Sequence, residues 1–376
     1  MKFTCERHIL VEALSTCTKA VASKSSNPAL EGILIKADGD LLLTGYNLKI
    51  CMRTSVEAEV QKPGSAVFNA KLFSDIIRSM PEGFVTVAVK DSTSTISCGA
   101  SIMNISVINP DDYPEIPLIL YEHNFSMPQK VLKELIQGTI FSASDSEMKP
   151  VLTGCLFKFI GNKLEVVALD NFRMAIRRYT FKDETPLPNE MSFNVPATAL
   201  REVERLIGDT DEHVTLSLAK RNIMFKVDNT TLMTNLIAGE YFNYPVMLGA
   251  EPETVVTVKT SDFISSIERT AIIINERLRD RVRLTFDEEL VRLTCKSSLG
   301  TSYDECTYAS FDGNKIEIGF NYVYLLEALR ACKQSETIRL EMKTPLSPLI
   351  IKPTDDSEDP DEFIYLIVPV RLQPMQ

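Results

Sequence analysis

Apolar side chains recur at every second position in three well separated stretches: Val85, Val87 and Val89; Val214, Leu216 and Leu218; Ile338, Leu340 and Met342. That period predicts strands with one buried face, because successive side chains of an extended chain point to opposite sides. Ahead of each stretch the period becomes that of a helix. The segments "FNAKLFSDII" from Phe68, "FNVPATALREVERLI" from Phe193 and "FNYVYLLEALRAC" from Phe320 each pass from a Phe-Asn dipeptide into an amphipathic run. They lie about 125 residues apart, too far for solenoid units of roughly 20 to 50 residues and suited to whole domains.

Other features share the spacing. Extended segments "KFTCE" from Lys2, "NFSMP" from Asn124 and "VVTVK" from Val255 each lead into a helix. The first, "ERHILVEALSTCTKAVASK", sets Ile9, Ala13, Cys17 and Ala20 on one face. The second carries Pro128 in its first turn, where a missing N–H is tolerated. The third, "SDFISSIERTAIIINER", opens on Ser261 or Asp262, either able to cap the free amides. Paired strands follow, with Asp38-Gly39 and Gly161-Asn162 as hairpin turns and "VRLTFDEELVRLTC" as the third counterpart. The expected fold class is therefore α+β, with three similar domains at residues 1–123, 124–252 and 253–376, each a sheet covered on one side by two helices.

Length and composition agree. A chain of 376 residues suits three domains, and 44% hydrophobic with 24% charged residues is ordinary for a globular protein. No apolar run is long enough to span a bilayer, and "MKFTCERHIL" lacks a signal peptide's apolar segment, so a cytoplasmic protein without membrane partners is expected. The eight cysteines form no CxxC pair and sit among apolar neighbours, as buried thiols do; a Cys295–Cys306 disulfide is the alternative. Neither GxxxxGK[ST], GxGxxG nor GxSxG occurs, and His8, His123 and His213 form no HExxH or HxxxH pair. No catalytic residue, metal or cofactor is expected. The acidic run "TDDSEDPDEF" from Thr354 reads as a solvated loop, without the ligand spacing of an EF-hand.

The three repeats, the Phe-Asn helices, the segments "LTGCLF" and "LDNFRMAIRR" of the middle repeat and the terminal "VPVRL" together resemble the bacterial sliding clamp family, the β subunit of DNA polymerase III. The resemblance spans the whole chain. It implies the DNA clamp fold, with sheets outside and two helices per domain inside, closed into a ring by a head-to-tail homodimer. It further implies a DNA polymerase processivity factor rather than an enzyme. The ring would encircle duplex DNA without regard to sequence and tether the replicative polymerase, the clamp loader and repair proteins through short apolar peptide motifs.

Matched residue by residue, the resemblance places the partner-peptide pocket at Leu152, Leu169, Asn171, Phe172, Arg173 and Met174, at Phe242, Val246 and Met247, at Pro345 and Ser347, and at Leu366, Ile367, Val368, Pro369, Val370, Arg371 and Leu372. Aliphatic and methionine walls suit a groove for apolar peptides. In the terminal strand only alternate side chains can face such a groove. The chain departs from the family pattern at Asn171-Phe172, where a small residue and histidine are usual, and at Phe242, where proline is usual. Both changes imply an altered, narrower pocket.

The ring and its charge can be tested on the sequence. Twelve helices about 10 Å across would enclose a lumen of roughly 28 Å, enough for a hydrated duplex. The net charge is −11, which argues against a protein coated in basic residues, yet the six helical segments expected to line the hole sum to +3. Lys24, Lys71, Arg78, Lys149, Arg201 and Arg205 are the expected phosphate contacts. Ile272, Ile273 and Ile274 cannot all face one core, since helical residues turn about 100° each; the resemblance places Ile272 and Ile273 at the dimer interface. Two rivals are a metal-dependent enzyme of DNA metabolism using the acidic residues Asp355 to Asp361, and a scaffold that binds peptides but not DNA.

Overall fold

The structure is a computed structural model that describes residues 1–117, 119–181, 191–249, 251–274, 281–354 and 362–372. The acidic run at 355–361 and the end of "AIIINER" lie outside the described residues. Among the described residues there are six α-helices: α1 (Arg7–Cys17), α2 (Ala70–Ser79), α3 (Gln129–Gln137), α4 (Ala197–Leu206), α5 (Thr260–Ala271) and α6 (Tyr322–Ala331). None is long and apolar enough to cross a membrane.

The Phe-Asn dipeptide proves to be two different devices. Asn69 caps α2 by accepting from the Leu72 N–H at 3.0 Å, and Asn321 caps α6 by accepting from the Val323 N–H at 3.0 Å. Asn194 does neither. It lies buried in the strand Ser192–Pro196, where its Nδ2 donates to the Val151 carbonyl at 2.7 Å, and α4 starts beyond Pro196. The inserted Val195-Pro196 pair moves Asn194 from a helix end onto a sheet.

The other helix starts also differ from expectation. Pro128 ends the strand His123–Pro128, one residue ahead of α3. The helix α5 begins at Thr260 after Lys259, with no side-chain cap, so Ser261 and Asp262 fall inside it. The first helix is shorter than its apolar period suggested: α1 stops at Cys17 and a single 3-10 turn, Thr18–Ala20, follows. Its buried stripe runs through Leu10, Ala13, Leu14 and Cys17.

Two compact units emerge, residues 1–130 with 198–236 and residues 131–197 with 237–376. In the first, α1 packs against α2 over a core that includes Phe3, Phe68 and Phe73. This unit holds a five-stranded sheet, ending in the strand Ser101–Ser106, and an eight-stranded sheet. The eight-stranded sheet passes from the first repeat into the second, because Ile50–Val56 pairs antiparallel with Thr230–Asn235. In the second unit α5 packs against α6 over Phe263, Phe286 and Phe320. Its twelve-stranded sheet crosses from the second repeat into the third where Arg173–Thr180 pairs antiparallel with Phe363–Ile367.

All eight cysteines are buried and none forms a disulfide. Cys306 lies opposite Val291 and Cys295 opposite Ser302, so the register of the hairpin separates the two thiols and the disulfide alternative is not realised. Burial pushes the Cys17 thiol up to about 12, which keeps it protonated and inert at neutral pH.

Candidate peptide groove and nucleic-acid surface

The second sheet junction carries an apolar cluster where the peptide groove is expected. Leu152, Leu169, Met174 and Leu366 share one cluster with Tyr244, Ile350 and Ile364, and Met247 and Val368 pack on its edge. Strand alternation decides who joins: Ile364 and Leu366 face this cluster, while Phe363, Tyr365 and Ile367 face the core beneath α5 and α6. Ile367 therefore does not line the groove.

One rim is a tight turn. The Asp170 carboxylate accepts from the backbone N–H groups of Phe172 at 2.7 Å and Arg173 at 2.9 Å, and from Arg173 Nε at 3.2 Å. Asn171 is exposed at its tip. The Arg173 guanidinium also donates to Glu327 of α6 and lies 4.4 Å over the Tyr324 ring. Phe172 stacks on that same ring, centroids 5.9 Å apart, and still leaves 51% of its surface exposed. An aromatic shelf thus stands on this rim.

The segment holding Phe242, Val246 and Met247 also packs on the cluster, through Tyr241, Tyr244 and Met247. Two tyrosines pin it. Tyr241 donates to the Val167 carbonyl at 3.4 Å, and the buried Tyr244 donates to Glu165, whose other oxygen accepts from Arg178 Nε at 2.7 Å. Burial, and then the Glu165 carboxylate, raise the Tyr244 hydroxyl's pKa, so it stays a donor. Held from below, Phe242 is half exposed, at 50%, and Val246 more so.

The third side is the terminal segment. Val368 N–H donates to the Phe172 carbonyl at 2.8 Å and Val370 N–H to the Gly319 carbonyl at 2.8 Å, leaving Pro369 half-buried between them. Arg371 is exposed, and Leu372 lies so close to Gly319 that a Cβ there would sit 2.4 Å from its Cδ2. Pro345 and Ser347 belong to a turn closed by a Thr344–Ser347 hydroxyl pair at 2.7 Å. Tyr244 and Ile350, which belong to the apolar cluster, and Tyr324, on which Phe172 stacks, are residues that sequence reasoning missed. The short apolar run Leu349-Ile350-Ile351 marks Ile350 as a buried strand residue, but nothing local joins Tyr324 to Phe172.

The expected phosphate contacts are all exposed. Lys24, Lys71, Arg78, Arg201 and Arg205 lie in the first unit and Lys149 in the second. Lys71 and Arg78 line one open cavity of about 500 Å³. Arg201 and Arg205 stand one turn apart on α4, with Arg205 donating to Glu202. Of the isoleucines, Ile274 packs on the core, Ile273 is half-buried and Ile272 is 79% exposed. Among the described residues no cluster of three or more His, Cys, Asp or Glu is placed to hold a metal ion.

Comparison with known proteins gives a consistent result. Three family models match in series: the N-terminal domain of the DNA polymerase III beta subunit over residues 1–117, its central domain over 126–243 and its C-terminal domain over 246–371. The chain is 30% identical over 386 residues to the beta sliding clamp of Halalkalibacterium halodurans, covering 99% of this chain and 100% of that one. It superposes on the crystal structure of the DNA polymerase sliding clamp from Bacillus subtilis with a TM-score of 0.93 at 27% identity, over 99% of this chain and 100% of that one. A DNA polymerase III beta subunit from Pseudomonas aeruginosa bound to griselimycin matches over the same shares with a TM-score of 0.90 at 25% identity.

Tyr244→Phe is expected to destabilise the protein by about 1 to 3 kcal/mol, because one buried Glu165 oxygen loses its donor. Tyr241→Phe, which removes only a long bond to a carbonyl, is expected to cost less; urea denaturation of the two variants measures the difference.

Proposed function

The chain belongs to the DNA polymerase III beta-subunit family, the bacterial sliding clamps, and from that premise we propose that two copies close head to tail into a ring around duplex DNA. It is a polymerase processivity factor. The observation that carries the ring is the tandem of three clamp domains on one chain, of which two copies supply six. We place the domain boundaries near residues 123 and 252. In this reading the helices face the DNA and the sheets form the outer wall. The work is topological and takes place in the cytoplasm with no bond made or broken by the protein.

Three features support the parts. The groove at the second sheet junction, apolar below and aromatic at its rims, suits a short apolar peptide of the replicative polymerase, the loader or a repair protein. Exposed Lys24, Lys71, Arg78, Lys149, Arg201 and Arg205 give weak phosphate contacts that do not read bases, while the acidic balance elsewhere repels DNA from the outer wall. The seam joins an end strand to an apolar patch. Ser101–Ser106 ends its sheet and exposes Ile102 and Met103, and the second unit exposes Ile272, Leu299 and Tyr303. Unpaired strand edges with apolar side chains are templates for pairing with another chain.

Met174→Ala with Met247→Ala is expected to weaken binding of an apolar partner peptide about tenfold while the sedimentation of the dimer is unchanged; unaltered affinity would place the peptide elsewhere. Ile272→Ala with Ile273→Ala is expected to sediment as a folded monomer at concentrations where the parent is dimeric. Loaded onto nicked circular DNA the protein should be retained, and after linearisation it should run off the ends. Equal retention on both forms would remove the ring.

A further inference from the structure

On the same unit lies an open cavity of about 710 Å³, of whose walls the peptide reading uses only Pro345, Arg371 and Leu372. Its walls include Lys315, Lys343 and Arg371, together with Pro345, Leu346 and Leu372. All three cationic side chains are exposed. We propose that this cavity receives acidic residues flanking the apolar segment of a partner peptide, so that the full binding site is an apolar groove continued by a basic pocket. The proposal rests on the reading of the groove as a peptide site.

Continuity is the first argument, since Val368 packs on the apolar cluster and the same terminal segment runs on into Arg371 and Leu372, which line the cavity. Charge is the second. In a chain of net charge −11 the cavity gathers three cations, against the carboxylates of Glu253 and Glu317, and Glu317 is engaged by Arg283 at 2.5 Å. The third is rigidity of the backbone that presents the cations. Lys315 follows Asn314, whose N–H donates to Thr254 Oγ1 at 3.2 Å and whose carbonyl accepts from that hydroxyl at 2.8 Å. The turn there requires Gly313, at φ +120°, where a Cβ would meet the Glu253 carbonyl at 2.1 Å. Lys343 follows the buried Met342, whose carbonyl accepts from Glu253 N–H at 2.9 Å. Arg371 is held between the Val370–Gly319 bond and Leu372, and its own carbonyl accepts from Arg281. A fixed backbone removes the main-chain share of the ordering cost and leaves that of the three exposed side chains. Leu346, 69% exposed, adds an apolar contact at the border.

The test uses fluorescein-labelled peptides with one central run of leucine and phenylalanine, flanked at either end by glutamates or by glutamines. Fluorescence anisotropy with the full-length protein is expected to show one glutamate-flanked form binding about fivefold tighter than its glutamine counterpart. Raising salt to about 0.5 M should shrink the difference by screening. In Lys315→Gln with Lys343→Gln the preference should vanish while the glutamine-flanked peptide keeps its affinity. Equal binding of glutamate and glutamine forms to the parent overturns the basic pocket and leaves the groove standing. A preference that survives in the double variant also overturns it. Failure of every peptide to bind removes the groove and this proposal together. Loss in the double variant of binding to a short single-stranded oligonucleotide, without a peptide preference, would make the cavity a nucleic-acid site instead.

Discussion

The structure depends on backbone hydrogen bonds made across the borders between repeats. A sheet edge presents unpaired N–H and C=O groups that must find partners or water. Here the second repeat spends one strand on each neighbour: Thr230–Asn235 on Ile50–Val56 of the first, and Arg173–Thr180 on Phe363–Ile367 of the third. Side chains reinforce both seams. Thr54 and Thr230 hydroxyls meet at 2.9 Å across the first, and Arg177 pairs with Glu362 across the second while lying 5.2 Å over Phe363. Such a ladder tolerates no slip, because a shift of one residue would turn every side chain to the opposite face.

The groove is a consequence of the second ladder. Register puts Met174 opposite Leu366 and Arg173 opposite Ile367. That pairing brings a turn of the second repeat under the terminal segment of the third. Met174 and Leu366 then fall into one apolar cluster, and Phe172 comes to rest on Tyr324. A site built on a sheet seam is stiff, and its adaptable parts are the methionines and the exposed aromatics at the rim.

Charge follows a different logic from packing. The helices sum to mildly positive while the chain as a whole is acidic. A protein that must move along DNA gains from phosphate contacts that are few, exposed and screened, since a strong grip would oppose sliding. The same economy of cations makes the basic cavity beside the groove conspicuous. Its three exposed side chains converge on one cavity from three separate segments of the chain.

By itself the sequence determined the threefold repeat, the nature of most strands and helices, the absence of recognisable catalytic motifs and the family. All of these rest on local periodicity or on the order of segments, which a chain displays without folding. Tertiary structure alone decided that Asn69 and Asn321 are helix caps while Asn194 is a sheet residue, that Ile367 turns away from the groove its neighbour Leu366 lines, and that Phe172 meets Tyr324. The caps are local bonds, but the place of Asn194, the turn of Ile367 and the meeting of Phe172 with Tyr324 depend on contacts between segments apart in the chain; Arg173 and Glu327, beside the last, are 154 residues apart. Periodicity says that a residue has a buried face, but only the pairing of backbones says what lies against it.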